Sequence, residues 1–448
     1  MKILLRNGFI LTENGLEKKD ILIDGQFIKN IDKNIVIDSQ TTLYDFTDKF
    51  IIPGGIDVHT HFDIDVGSKS SVDNFYSGGI AALAGGTTTI IDHPGFGPQN
   101  CKLDFQINKY LKLAQDCPID YSFHGVLQST SENLEVEMSQ LKENGISSFK
   151  LYMTYSYMMS DEDILKVFTI AKKLDVVICV HAENHAMIEH LKSSFKERNL
   201  TTPIYHSKSR PDYTESEAVN RLLLLAECTH FEKLYFVHIS CKKSLEILNS
   251  FKKKGKNFFI ETCPQYLLLS EDEFLKEDGY KFILSPPLRK KEDNISIKKY
   301  LNDELIDVIA TDHCSFSLND KKLGKENFLN CPNGIPGVEE RIPLMFTEFL
   351  KGNITSKVFL NSCCINPAKI FGLYPQKGTL KIGSDADITV LSVEDFNFDS
   401  TKSKANYSVF KNHKSLVKVD TVFIRGTLLL KNEAFFNENH KGNFLKRN

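Results

Sequence analysis

No hydrophobic run in the chain approaches the length of a membrane span, no block of like charge unbalances it, and none of its ten cysteines falls into Cys-x-x-Cys spacing. Each absence excludes something. A helix that crosses a bilayer needs about 20 consecutive apolar residues. Lys+Arg number 55 against 58 Asp+Glu, with the lysines dispersed, so there is no basic face for nucleic acid or an anionic membrane. Cysteines scattered from Cys101 to Cys364 over 448 residues form no disulfide framework. They read as buried free thiols of a reducing compartment. The opening residues, Met1 to Gly8, lack an apolar signal core with a small-residue cleavage site. A cytoplasmic protein without nucleic-acid or membrane partners is expected.

What is present suffices for a large core, since 41% of the residues are hydrophobic. Residues 1–50 carry short β-prone runs split by Asn7-Gly8, Asn14-Gly15 and Asp24-Gly25, read as hairpin signals. The far end repeats the style in Gly378–Gly383, Ala386–Leu391 and Val419–Ile424. Neither end can build a core alone. We therefore expect 1–50 and 371–448 to pair into one small β-sandwich domain, with 51–370 inserted between them. That middle alternates apolar strands and helical stretches, such as Asp161–Leu174 behind Ser160 as N-cap with Asp163 in the capping-box position. Eight strands are expected, at Ile56–His61, Thr87–Asp92, Asp120–Gly125, Ser147–Tyr152, Val176–His181, Leu234–His238, Phe258–Glu261 and Ile306–Asp312. Eight βα units give a fold class of α/β with a (β/α)8 TIM-like barrel.

The active site of such a barrel lies where its strands end. The ends read His59 and His61, Lys150, His181, His238 and Asp312. His59 and His61, spaced i, i+2, share one face of a strand and can grip one metal ion; otherwise one is a buried core histidine and the other solvated. Lys150 cannot ligate as an ammonium. Desolvated and neutral it can take up carbon dioxide as a carbamate that bridges two metals; the alternative is a charged lysine paired with Asp312. If Asp312 faces the site, its neighbour His313 does not. His93 and His124 also end strands and have no assigned partner.

These residues resemble the cyclic amidohydrolases, the hydantoinases and dihydropyrimidinases of the metal-dependent amidohydrolase superfamily. The likeness spans nearly the whole chain, through GGIDVHTHF at Gly54–Phe62, SFKLYMTY at Ser148–Tyr155, HAEN at His181–Asn184, ETCPQYLL at Glu261–Leu268, SPPLR at Ser285–Arg289, ATDHC at Ala310–Cys314 and PNGIPGVE at Pro332–Glu339. Within that family, FDIDVG at Phe62–Gly67 and DHPGFGP at Asp92–Pro98 are most similar to the bacterial D-phenylhydantoinase branch. The resemblance implies two divalent metal ions per subunit, zinc in the usual case and manganese, cobalt or iron otherwise, with CO2 needed for lysine carboxylation. The first ion would take His59, His61, carboxylated Lys150 and Asp312; the second would take Lys150, His181 and His238. Asp312 would act as base and then acid. Tyr155 would bind the substrate and its developing oxyanion, and Ser285 and Asn333 would hold the amide edge of the ring. The implied reaction is hydrolysis of a 5-substituted hydantoin, D-isomers with bulky substituents, to an N-carbamoyl amino acid, in a homotetramer.

The expected rim residues Ile64, Val66, Phe96, Met153, Tyr157, Met158 and Met159 make an apolar, Met-rich mouth suited to a bulky apolar substituent. Dihydropyrimidinase activity on dihydrouracil is the runner-up. Dihydroorotase is disfavoured, because Phe62-Asp63 stands where that enzyme has an arginine, and a phenyl beside a carboxylate would repel an anion. Non-catalytic scaffold proteins of this fold have lost metal ligands, whereas this chain retains every expected one.

Overall fold

A computed structural model describes every residue except Met1, Ser68, Ser400 and Asn448, so Ser68 of the expected rim loop lies outside the described residues. The apolar runs of the middle form a closed parallel barrel. Gly55–Thr60 pairs with Thr87–Asp92, and that strand with Asp120–Phe123. The third strand breaks at His124 and resumes as Gly125–Val126. Beyond it follow Ser148–Tyr152, Val177–His181, Leu234–Phe236, Phe259–Thr262 and Val308–Ile309. The ring closes where the amide of His61 donates to the carbonyl of His313 at 2.8 Å. Strands Thr87–Asp92, Ser148–Tyr152 and Val177–His181 are buried at every position, so none shows the in-out alternation of a strand with one wet face. The eighth strand is shorter than Ile306–Asp312: it covers Val308–Ile309, and Asp312 lies beyond it with a left-handed backbone at φ 55°.

The two chain ends share their sheets. Lys2–Arg6, Asp20–Asp24, Phe27–Asp32 and Thr42–Asp45 make a four-stranded sheet. A seven-stranded sheet interleaves Phe9–Thr12, Gly15–Lys18 and Phe50–Pro53 with Ile388–Asn397, Lys414–Ile424, Thr427–Lys431 and Ala434–Phe435. Ile3, Ile21, Ile51, Val390 and Phe423 fill the space between them. Phe50–Pro53 runs directly into the first barrel strand through Gly54, where a Cβ would lie 2.2 Å from Thr88 Oγ1.

Three expectations change. Asn7-Gly8 is not a hairpin: Lys2–Arg6 pairs in one sheet and Phe9–Thr12 in the other, so left-handed Asn7 (φ 66°) carries the chain across. Gly378–Gly383 is no strand, because both glycines adopt left-handed φ and the segment folds back so that Gly383 N–H meets the Ile28 carbonyl. The Asp161–Leu174 helix starts at Ser160 as expected, but the carboxylate of Asp163 accepts the hydroxyls of Ser160 and Thr130 instead of closing a capping box. The last residues leave the sandwich. Asn443 and Leu445 hydrogen-bond the backbone of Tyr121, and fully buried Arg447 donates to Ser122 and Ser148 inside the barrel. Eight of the cysteines are buried, Cys101 is half-buried and Cys228 is exposed; all ten are free.

Candidate metal centre

The strand ends bring His59, His61, Lys150, His181, His238 and Asp312 to one cavity of about 740 Å³, which Tyr155, Ser285 and Asn333 also line. Three of these residues, His238 (φ 41°), Asp312 (φ 55°) and Tyr155 (φ 72°), hold a left-handed backbone. That conformation costs a non-glycine residue roughly 1–3 kcal/mol and persists where the surroundings over-determine it, as they do at functional sites. Here it bends each strand end sharply enough to aim the side chain into the mouth.

Asp312 Oδ1 lies 3.2 Å from His59 Nε2 and 3.1 Å from His61 Nε2, and the three residues form one candidate metal-binding group. His181 Nδ1 and His238 Nε2 lie 2.9 Å apart. Two nitrogens on one tetrahedral zinc, each about 2.0–2.1 Å from it, sit about 3.3 Å from one another. The spacing therefore suits ions seated between these atoms. The far nitrogens fit as well. His59 Nδ1–H donates to Glu261 Oε1 at 2.7 Å, His61 Nδ1–H to the His93 carbonyl at 3.1 Å, and His181 Nε2–H to Glu183 Oε2 at 2.7 Å. Each partner sets the tautomer that leaves a lone pair facing the cavity. Burial keeps His59 and His238 well below the ordinary histidine value, which also favours the neutral, ligating form.

Lys150 is 1% exposed, and burial pulls its ammonium down to about 8. Glu261 and Asp312 pull it upward against that burial, and among the described residues no ion pair within 4 Å joins it to Asp312. Burial pushes Asp312 up, but the cationic character of the surrounding His59, His61 and Lys150 cluster outweighs it, and the carboxyl lies below its ordinary value. Burial also lifts the Tyr155 phenol to about 12, so it stays a donor. Ser285 Oγ is buried without a hydrogen-bond partner among the described residues. His313 turns away from the centre to Asp73, at 3.2 Å. His93 packs edge-on to His59, with centroids 4.3 Å apart, and stacks on His124 at 4.0 Å, so both sit behind the ligand layer.

Three functional residues escaped the sequence reading. Glu261 collects donors from His59, the His238 amide (2.9 Å) and the Tyr235 hydroxyl (2.8 Å). Glu183 bridges His181 and the fully buried Arg210, whose guanidinium lies 5.7 Å from the Tyr155 ring centroid. Glu261 carried a signal, a carboxylate at the end of an apolar strand. Arg210, in a long connection, carried none. The rim also differs. Ile64, Val66, Phe96 and Tyr157 line the cavity, but Met153 and Met159 are core residues and Met158 is exposed. Phe62 does not face a substrate. One residue past His61 it points to the opposite side and packs on Phe75 and His313.

A histidine- and carboxylate-lined mouth on a closed (β/α)8 barrel is what members of the amidohydrolase family carry. The chain belongs to that family, whose model matches residues 50–429. It is 39% identical to D-phenylhydantoinase from Escherichia coli over 453 residues, spanning 100% of this chain and 98% of that one. Its fold matches the crystal structure of dihydropyrimidinase from Brevibacillus agri with TM-score 0.96 at 33% identity, covering 100% and 99% of the two chains. It also matches L-hydantoinase (dihydropyrimidinase) from Arthrobacter aurescens, with TM-score 0.91 at 28% identity and 99% of each chain covered. Among the described residues no helix is long and apolar enough to cross a membrane.

Proposed function

We propose that this protein hydrolyses the ring amide of 5-substituted hydantoins, D-isomers with apolar or aromatic substituents, to N-carbamoyl amino acids. The observation that carries the reading is the set of four histidines, one buried lysine and one carboxylate at a single mouth, with the far nitrogens of His59, His61 and His181 held by buried acceptors. His59, His61, Asp312 and carboxylated Lys150 would hold one divalent ion, and Lys150, His181 and His238 a second. Bound there, such ions turn water into a nucleophile at neutral pH and polarise the scissile carbonyl. The chain's own groups do the rest. Tyr155 O–H donates to the carbonyl oxygen as negative charge grows on it. Asp312 accepts the proton of the attacking water and returns it to the departing ring nitrogen. Ser285 and Asn333 hold the amide edge, and Ile64, Val66, Phe96 and Tyr157 face the 5-substituent. We read 51–370 as the catalytic barrel and 1–50 with 371–448 as the sandwich, with Phe50–Pro53 pairing in the sandwich sheet and the segment from Asn443 onward packing on the barrel, and the assembly as a homotetramer.

The E. coli relative supports hydantoins and the D-isomer. The dihydropyrimidinase named among the structural neighbours supports a second reading, dihydrouracil as substrate, which uses the same ligands. One assay panel separates them: D- and L-5-phenylhydantoin, dihydrouracil and allantoin, with metal content measured on the same preparation. Turnover is expected to be fastest with D-5-phenylhydantoin at two ions per chain. Faster turnover of dihydrouracil reverses the ranking, and a folded, metal-free, inactive protein removes the enzymatic reading.

A further inference from the structure

One fully buried ammonium lies outside the metal centre. Lys321 belongs to the short helix Leu318–Lys322 in the connection that follows Asp312, and its exposure is 0%. Its Nζ donates to three backbone carbonyls: Ile283 at 2.6 Å, Gly334 at 2.9 Å and Pro332 at 3.0 Å. Three donors meet three acceptors, so the group is satisfied. Among the described residues no carboxylate pairs with it, and burial lowers it from the ordinary lysine value. A buried cation without a counter-ion is costly, and packing alone would be served as well by a methionine.

The three carbonyls belong to two loops. Ile283 stands two residues before Ser285, and Pro332 and Gly334 flank Asn333. The Ile283 carbonyl also accepts the Gly334 amide at 3.1 Å, so it joins both loops. The peptide planes on either side of Asn333 are thereby fixed. Lys321 holds the Pro332–Asn333 plane by its oxygen, and Ile283 holds the Asn333–Gly334 plane by its nitrogen. In a trans peptide the C=O and N–H point in opposite directions, so the free N–H and C=O of Asn333 are aimed away from these anchors. On its other side the loop lies against the segment after Asp312: Gly334 has φ 153°, and a Cβ there would lie 2.4 Å from the Cys314 carbonyl oxygen.

We propose that Lys321 is a positioning residue for substrate, whose ammonium clamps the Ser285 and Asn333 loops together and so sets the backbone groups that receive the ring amide. The inference rests on the assignment of Ser285 and Asn333 to the amide edge. Its signature is a loss in substrate binding with the metal centre intact.

The test compares wild-type, Lys321→Met and Lys321→Arg holoenzymes for kcat, KM, metal content and melting temperature, with kinetics taken well below melting. Small misplacements of binding groups change rates and affinities by factors of ten to a hundred. Lys321→Met is accordingly expected to raise KM for D-5-phenylhydantoin about tenfold or more, with kcat within about threefold and wild-type metal content. Lys321→Arg keeps the charge but sets a wider planar fork in the same seat, is expected to shift KM in the same direction, and decides the matter if Lys321→Met does not fold. A folded variant with unchanged KM overturns the proposal, and so does a loss confined to kcat with lost metal. If the wild type turns over dihydrouracil and not the hydantoin, the substrate reading has failed, and the same KM comparison is made with dihydrouracil, whose ring has the same amide edge.

Discussion

Glu261 Oε1 accepts the Nδ1–H of His59 at 2.7 Å, from inside the barrel wall, and the same oxygen takes the His238 amide. One carboxylate thus orients residues assigned to two different ions. Burial lifts Glu261 to about 8 against the pull of Tyr235, Lys150 and the His238 amide. Removing such a partner of a metal-bound histidine usually weakens metal affinity or activity by about 10–100-fold. Glu261→Leu is expected to show a loss of that order in zinc affinity, measured by competition with a chelator. Unchanged affinity would leave Glu261 a core residue only.

Lys150 gives a prediction that separates carbamate from amine. A neutral amine buried as Lys150 is can add CO2, and the product would supply the oxygens shared by both ions. Protein stripped by a chelator should recover activity slowly when reloaded with zinc in CO2-depleted buffer, and faster once bicarbonate is added. Lys150→Met should bind at most one ion per chain. Two ions in that variant, or recovery indifferent to bicarbonate, would dispose of the bridge.

The seam of the barrel rests on Arg341. Fully buried, it donates to the Ile56 and Ile309 carbonyls, from the first and eighth strands, and to Thr87 Oγ1, each at 3.0 Å. Its Nε lies 3.8 Å from the equally buried Asp57 carboxylate. Deleting one partner of a buried pair leaves the other charge uncompensated, at a cost of about 3–5 kcal/mol. Arg341→Met should lose that much in denaturant unfolding, while its metal content stays at the wild-type level. A loss under about 1 kcal/mol would mean that Asp57 is already neutral in the fold.

What was legible in the sequence follows a physical division. Barrel strands announce themselves because they are buried on both faces, so Val177–His181 reads as a continuous apolar run up to its histidine. His59, His181, His238 and Asp312 were found because a polar residue at or just past the end of such a run has few other reasons to be there, and Lys150 because an amine in the middle of a buried strand, Ser148–Tyr152, has fewer still. Long-range pairings were not legible. Nothing near Arg210 says that it meets Glu183, 27 residues away, and nothing near Asn7 says that the strands on either side enter different sheets. The Met153–Met159 loop misled for a related reason. Its composition suits a rim, but left-handed Tyr155 and the bond from Met159 N–H to the Tyr152 carbonyl fold two of its methionines inward.

Glu340 supplies a pH dependence independent of the metal centre. Burial, helped by neighbouring Glu339, lifts its carboxyl from 4.5 to about 7, and its Oε1 has no partner among the described residues. Between those values the folded chain keeps a proton that the unfolded chain has released. Stability must then fall as pH rises through that window, since the unfolded state binds fewer protons. The contribution is on the order of 3 kcal/mol, fully present below the unfolded value and lost above the folded one. Glu340→Gln keeps the shape and cannot ionise. It should flatten the decline between about pH 5 and about pH 8, leaving the variant the more stable protein at the upper end and close to wild type at the lower. Urea unfolding at the two pH values reads this directly, and parallel declines in both proteins would show that Glu340 titrates near its ordinary value.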